Sequence, residues 1–166
     1  NKTIGRLSSG LRVESAADDA AGLAVTENMR GQMRGFQQAA RNGNDGISIL
    51  QTAESAYQSI SDTLIRMREL AVEAANDSLG NTERGFLDTE FQDLITEITR
   101  ISDVTEFNGI QLLDGTAGTA GTMTFQVGTR NSVNNRITVA LDDQDSAALG
   151  IDASAVDDQT NAQNAI

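Results

Sequence analysis

The side chains that could do chemistry in this chain are carboxylates, hydroxyls, arginines and one phenol, Tyr57. Cysteine, histidine, tryptophan and proline are all absent. That removes Cys/His zinc sites, Ser-His-Asp triads, Cys-His dyads and disulfides. Asp142, Asp143 and Asp145 resemble half of a calcium loop but lack its central Gly and terminal Glu. The pairs Asp142/Asp143 and Asp157/Asp158 could in principle serve as acid and base. Nothing in the sequence builds a sugar-binding cleft around them, and aromatics are only 4%. They read as solvated acidic turns. No GxGxxG or GxxxxGKS/T phosphate loop occurs. The residues therefore point away from catalysis, with no catalytic residue, metal or cofactor expected.

Charge narrows the partners. The net charge is −12, from 12 basic and 24 acidic residues. It is uneven: residues 1–50 hold six cations against five carboxylates, and residues 51–166 hold six against nineteen. Polyanions such as nucleic acid and anionic membranes are disfavoured partners. No apolar run is long enough to span a membrane. The chain opens on Asn1 rather than Met and closes on NAQNAI, which reads as an interrupted helix. An internal fragment is expected, with its C-terminal continuation supplying a third helix.

The elements that must position these residues follow from periodicity. The fold expected is mainly α: a long antiparallel helical hairpin, coiled-coil-like, with a small β-hairpin annex and the start of a C-terminal helix. Residues 1–17 read as a helix end and connector, 18–105 as the core hairpin, 106–153 as loop and β-hairpin, and 154–166 as the start of the last helix. Ser15 and Asp18 form a capping-box-like start. Early apolar positions are Val25, Met29, Met33 and Phe36, and Met29, Met33 and Tyr57 are core candidates. From Leu50 the seam sharpens through Ala53, Tyr57, Ile60, Leu64, Met67, Ala71 and Ala74, alternating steps of three and four. NDSLGN at 76–81 is a turn. A second seam, Leu87, Phe91, Leu94, Ile98 and Ile101, lies on a helix from about Thr82 to Val104. Phe107-Asn108-Gly109 breaks it. Thr122–Val127 and Arg136–Leu141 then alternate as strands, expected to pack beside Ile110, Leu112 and Leu113. The last helix starts near Asp157 and ends too soon to bury anything.

Longer motifs carry a resemblance. RLSSGLRVESAADDAAGLA (6–24), RNGNDGISILQTAE (41–54), RMRELAVEAAN (66–76) and TEFNGIQLLDG (105–115) stand in the order in which they occur in bacterial flagellin, and TFQVG (124–128) matches the strand that follows. The chain resembles that family from Arg6 to Ile166. The resemblance implies a self-assembling subunit of the flagellar filament, extracellular, exported by the flagellar type III apparatus. Its implied partners are other subunits, an export chaperone and the filament cap. Hook–filament junction proteins and flagellin-like surface binding proteins are the rival readings; RMRELAVEAAN and TEFNG favour flagellin.

The resemblance also implies recognition by Toll-like receptor 5. The family's arginine, leucine and glutamate are matched by Arg66, Leu70 and Glu90, with Arg68 and Glu69 beside them. Arg66 and Leu70 are one helical turn apart. A hairpin folding near position 78 or 79 brings Glu90 within a turn of Arg66. The expectation is an exposed Leu70 between charges, or, more plainly, a surface ion pair.

Overall fold

The computed structural model describes residues 15–166 together with Leu7, Gly10 and Val13. The helix end expected over the first residues lies outside the described residues. In chain order the elements are α1 (Ala16–Ala74), α2 (Asn81–Val104), β1 (Glu106–Phe107), β2 (Ile110–Gln111), β3 (Thr122–Gln126), a 3-10 turn (Val133–Asn135), β4 (Arg136–Ala140) and α3 (Gln159–Ala165). β1 pairs with β2 and β3 with β4. The chain divides into two units: the described residues of 1–44 with Phe125–Ile137, and Asp45–Thr124 with Thr138–Ile166.

In the first unit, Asp19 is the effective helix start. Its backbone is extended (φ −162°, ψ 94°), and its Oδ1 accepts from the Gly22 amide at 2.8 Å. That is N-cap geometry, which satisfies an amide that has no partner within the helix. Ser15 and Asp18 do meet, at 3.5 Å, but one turn before the regular helix. Val25, Met29, Met33 and Phe36 are each more than half exposed, so Met29 and Met33 are not core residues. They form an exposed stripe along α1 among the described residues. Further along, Asn42 donates to the Gln126 carbonyl at 2.9 Å. A Cβ at Gly35 would lie 2.7 Å from Thr129 Cγ2, so the Thr129 side chain would have to move to admit one.

The second unit holds the hairpin and the main core. The turn after α1 uses Asn76, whose Oδ1 accepts from the Ser78 amide at 3.1 Å, an Asx turn. α2 runs back along α1. Buried side chains along α1 are Ile49, Ala53, Ala56, Ile60, Met67, Leu70, Ala71 and Ala74. Along α2 they are Arg84, Phe91, Ile95, Ile98 and Ser102. Of the heptad-seam positions, Ala53, Ile60, Met67, Ala71, Ala74, Phe91 and Ile98 are buried. Tyr57, Leu64, Leu87, Leu94 and Ile101 are half-buried, and Leu50 faces solvent while its neighbour Ile49 is buried.

The reason for that rotation is a third wall within the same chain. Leu112, Leu113, Ala117, Leu141, Val156 and Ala162 are all buried. Each helix therefore buries a stripe wider than a two-helix seam. Polar clamps hold the wall. Ser102 Oγ donates to the Leu113 carbonyl at 2.6 Å. Gln92 donates to the Ser154 carbonyl at 2.9 Å, and the Val156 amide donates to Asp88 at 2.8 Å. The last helix does bury residues, Ala162 on its own length and Val156 just before it. Ile110, in contrast, is exposed.

The Asn108-Gly109 break is itself a hairpin. Phe107 pairs with Ile110 across it, and Asn108 and Gly109 have φ of 52° and 76°. Two positive φ values in a two-residue loop are the demand of a type I′ turn, which Asn-Gly meets at least steric cost.

Candidate interaction surface

Arg66 and Glu90 come together as the hairpin register requires. Arg66 Nε and Nη2 donate to Glu90 Oε1 at 2.9 and 2.7 Å. Arg66 Nη1 reaches Glu69 Oε2 at 3.2 Å. Both partners of the Arg66–Glu90 pair keep about half of their side-chain surface exposed, 47% each. The hydrogen bond to Glu90, then that to Glu69, raises the Arg66 pKa above its ordinary value. The pair fixes a planar guanidinium face between two carboxylates, a geometry suited to recognition. Arg68 is also exposed, two residues further along the same helix and so roughly 200° around it from Arg66.

Leu70 is not on that surface. Its side chain is 0% exposed. The spacing argument places Arg66 and Leu70 on one side of α1, but that side borders the core, and the shorter apolar chain turns inward. The expected exposed anchor is instead a core residue beneath the ion pair. It fixes the helix position on which Arg66 stands.

Arg84 is the residue that the seam analysis missed. It is buried, with Nε donating to the Ala74 carbonyl at 2.7 Å, Nη2 to the Asn76 carbonyl at 2.9 Å and Nη1 to Asn81 Oδ1 at 3.1 Å. A cation thereby closes the C-terminal end of α1, where carbonyls lack helical partners and the dipole is negative. The signal was in the sequence: stepping back one heptad from Ile98 and Phe91 lands on Arg84.

The acidic clusters are occupied locally. Asp143 Oδ1 accepts from the Asp145 amide at 3.0 Å, and Asp145 Oδ1 from the Ala148 amide at 2.6 Å. Asp158 caps α3 through the Asn161 amide at 2.8 Å, and Asp157 accepts from the Asn161 side chain. These carboxylates terminate turns. Burial, and then the charge of Asp142, raise the Tyr57 phenol above its usual 10.0. No helix among the described residues is long and apolar enough to cross a membrane.

Fold and surface together define a class: a helical-hairpin structural module whose outward features are ion pairs and an apolar stripe. Comparison with known proteins makes the class specific. The family model described as "Bacterial flagellin N-terminal helical region" matches residues 1–118. The chain is 44% identical over 165 residues to a flagellin of Halalkalibacterium halodurans, covering 99% of this chain and 60% of that protein. It is 43% identical to a flagellin of Bacillus subtilis, covering 90% and 52%. The crystal structure of Bacillus cereus flagellin superposes with a TM-score of 0.63 at 34% identity, over 75% of this chain and 69% of that one. The chain belongs to the bacterial flagellin family, whose members are structural proteins and not enzymes. It spans roughly half to three-fifths of the two flagellin sequences just named.

Proposed function

We propose that the protein carrying this chain is a structural subunit of the flagellar filament. It is located outside the cell and polymerises with its own kind through helical surfaces. The observation that carries this reading is the stripe Val25, Met29, Met33 and Phe36, more than half exposed along one helix. Exposed apolar surface of this kind marks a protein contact, and membership of the flagellin family supports other subunits as the partner. Export through the flagellar type III apparatus, an export chaperone and assembly beneath the cap belong to the same reading. A chain without cysteine passes a narrow channel without cross-links.

The test is complementation of a flagellin-null bacterium. The gene for the full protein should restore filaments and swimming. Met29→Asp with Phe36→Asp should abolish filaments while secreted monomer accumulates in the medium. Normal filaments from that double variant would remove the stripe from the argument.

The finer part of the proposal is recognition of the monomer by Toll-like receptor 5 through Arg66 and Glu90, with Arg68 and Glu69 at the margin. What supports it is the preset Arg66–Glu90 geometry at 2.7 Å on an exposed face. Leu70 contributes from below, by fixing the helix. In a receptor reporter-cell assay Arg66→Ala and Glu90→Ala should each lower potency. Unchanged potency of both would refute this part alone.

A further inference from the structure

The chain contains two Asn-Gly pairs, Asn42-Gly43 and Asn108-Gly109, and the fold places them in opposite states. We propose that Asn108 is a site of spontaneous deamidation and isoaspartate formation, and that Asn42 is protected from the same reaction.

The chemistry needs a following amide nitrogen without a side chain beside it, a free carboxamide, and a backbone able to swing. At Asn108 all three are present. Asn108 and Gly109 are exposed, and a Cβ built on Gly109 would meet nothing within 4 Å. Among the described residues none hydrogen-bonds the Asn108 carboxamide. The strands on either side are two residues each, so the ladder over the turn is short and opens at small cost. Opening stays local, because the Leu112 amide donates to the Thr105 carbonyl at 2.9 Å below the turn and Leu112 and Leu113 are buried.

Asn42 also precedes a glycine but lacks the other two. It lies inside α1, where the Gly43 amide is committed to the helix ladder. Its Oδ1 accepts from Gln38 at 2.8 Å and its Nδ2 donates to the Gln126 carbonyl at 2.9 Å. Reaction there requires a turn of helix to unfold and both side-chain bonds to break.

In the reaction, hydroxide removes the Gly109 amide proton and the nitrogen attacks Asn108 Cγ. The N–Cγ bond forms, the Cγ–Nδ2 bond breaks, and Nδ2 leaves as ammonia with a proton from water. Solvent water then opens the succinimide ring. Opening at the side-chain carbonyl gives aspartate. Opening at the main-chain carbonyl gives isoaspartate, which routes the backbone through the β-carbon and lengthens the turn by one methylene. The Phe107–Ile110 pairing is then out of register, and the surface gains a negative charge next to the exposed Glu106.

The test incubates the protein at mildly alkaline pH, native and in urea, and digests acid-quenched samples with trypsin. Cleavage after Arg41, Arg66, Arg100 and Arg130 separates the two sites. Mass spectrometry reads the replacement of amide by acid, and an isoaspartyl methyltransferase assay reads the isomer. In the native protein Asn108 should convert at least about tenfold faster than Asn42, equivalent to a difference of ~1.4 kcal/mol in opening free energy. In urea the two rates should converge. Equal native rates, or a native Asn108 stable while the unfolded chain converts, would overturn the proposal. This test stands independently of the filament reading.

Discussion

Replacing Arg84 tests the hairpin closure directly. The guanidinium is buried and makes three hydrogen bonds, to the Ala74 and Asn76 carbonyls and to Asn81. Among the described residues no carboxylate accepts from it, and its charge meets two carbonyl dipoles at the end of α1 and the Asn81 amide oxygen. Two effects compete. Removing the donor leaves carbonyls unpaired, and a hydrogen bond to a charged group contributes about 1.5–3 kcal/mol. Against this, a buried cation carries a desolvation cost that an apolar replacement escapes. The Asn76 carbonyl sits at an exposed turn and regains water, so one bond is largely replaced. The Ala74 carbonyl belongs to a fully buried residue and does not recover its partner. We therefore expect Arg84→Met, which keeps the stem volume, to cost about 3 kcal/mol in all. For a chain of this size that lowers Tm by roughly 6–12 °C. Arg84→Lys keeps the charge and its donors on one nitrogen, which cannot span the three acceptors, and should lose about half as much. Urea unfolding followed by circular dichroism suits a chain without tryptophan, and the slope with denaturant should stay constant. Amides of residues 75–80 should exchange faster in the variant. An Arg84→Met midpoint within about 0.5 kcal/mol of wild type would show that desolvation cancels the hydrogen bonds, and the reasoning would fail.

Other substitutions separate surface from core. Leu70→Ala should cost about 2–5 kcal/mol in urea unfolding, whereas Arg66→Ala should leave the midpoint almost unchanged; comparable losses from both would contradict the burial assigned to Leu70. Asp19→Ala removes the cap on the Gly22 amide and should cost about 0.5–2 kcal/mol of local helix stability, seen as faster hydrogen exchange in residues 20–24. Tyr57 is the only tyrosine, so phenolate absorbance reads it alone. Its native midpoint should lie above 10.0, and in urea it should return there. Because the folded pKa is raised, the unfolded chain loses its proton first, and stability falls as pH climbs through that range. Asp142→Asn should lower the native midpoint only in part, since burial is the larger cause. A native midpoint equal to that in urea would refute the assignment.

The helical hairpin was legible because its apolar positions recur with a helical period and its turn is written in NDSLGN. The two longer strands were legible from strict alternation in Met123, Phe125 and Val127. Three features were not. Leu50 and Ile49 are adjacent apolar residues, and which one turns inward depends on a third wall that no local pattern specifies. The resemblance implies Leu70 as part of a surface patch with Arg66 and Glu90, and its spacing puts it on the same side of the helix as Arg66, yet that side is wide enough to straddle the core boundary. Asp19 took over the cap because the regular helix begins one turn later than the capping box implied. Two further features were readable but passed over: the Asn108-Gly109 hairpin signal, and the cation at the heptad position of Arg84.

The central claim, that the protein is a filament subunit, is tested most directly by seeded polymerisation. Fluorescently labelled full protein is mixed with sheared filaments of its own kind, then sedimented and imaged by electron and fluorescence microscopy. The account predicts labelled segments growing from seed ends and label in the pellet, with both lost in the Met29→Asp, Phe36→Asp variant. Labelled protein that stays in the supernatant, while the same seeds accept unlabelled subunits, would contradict it.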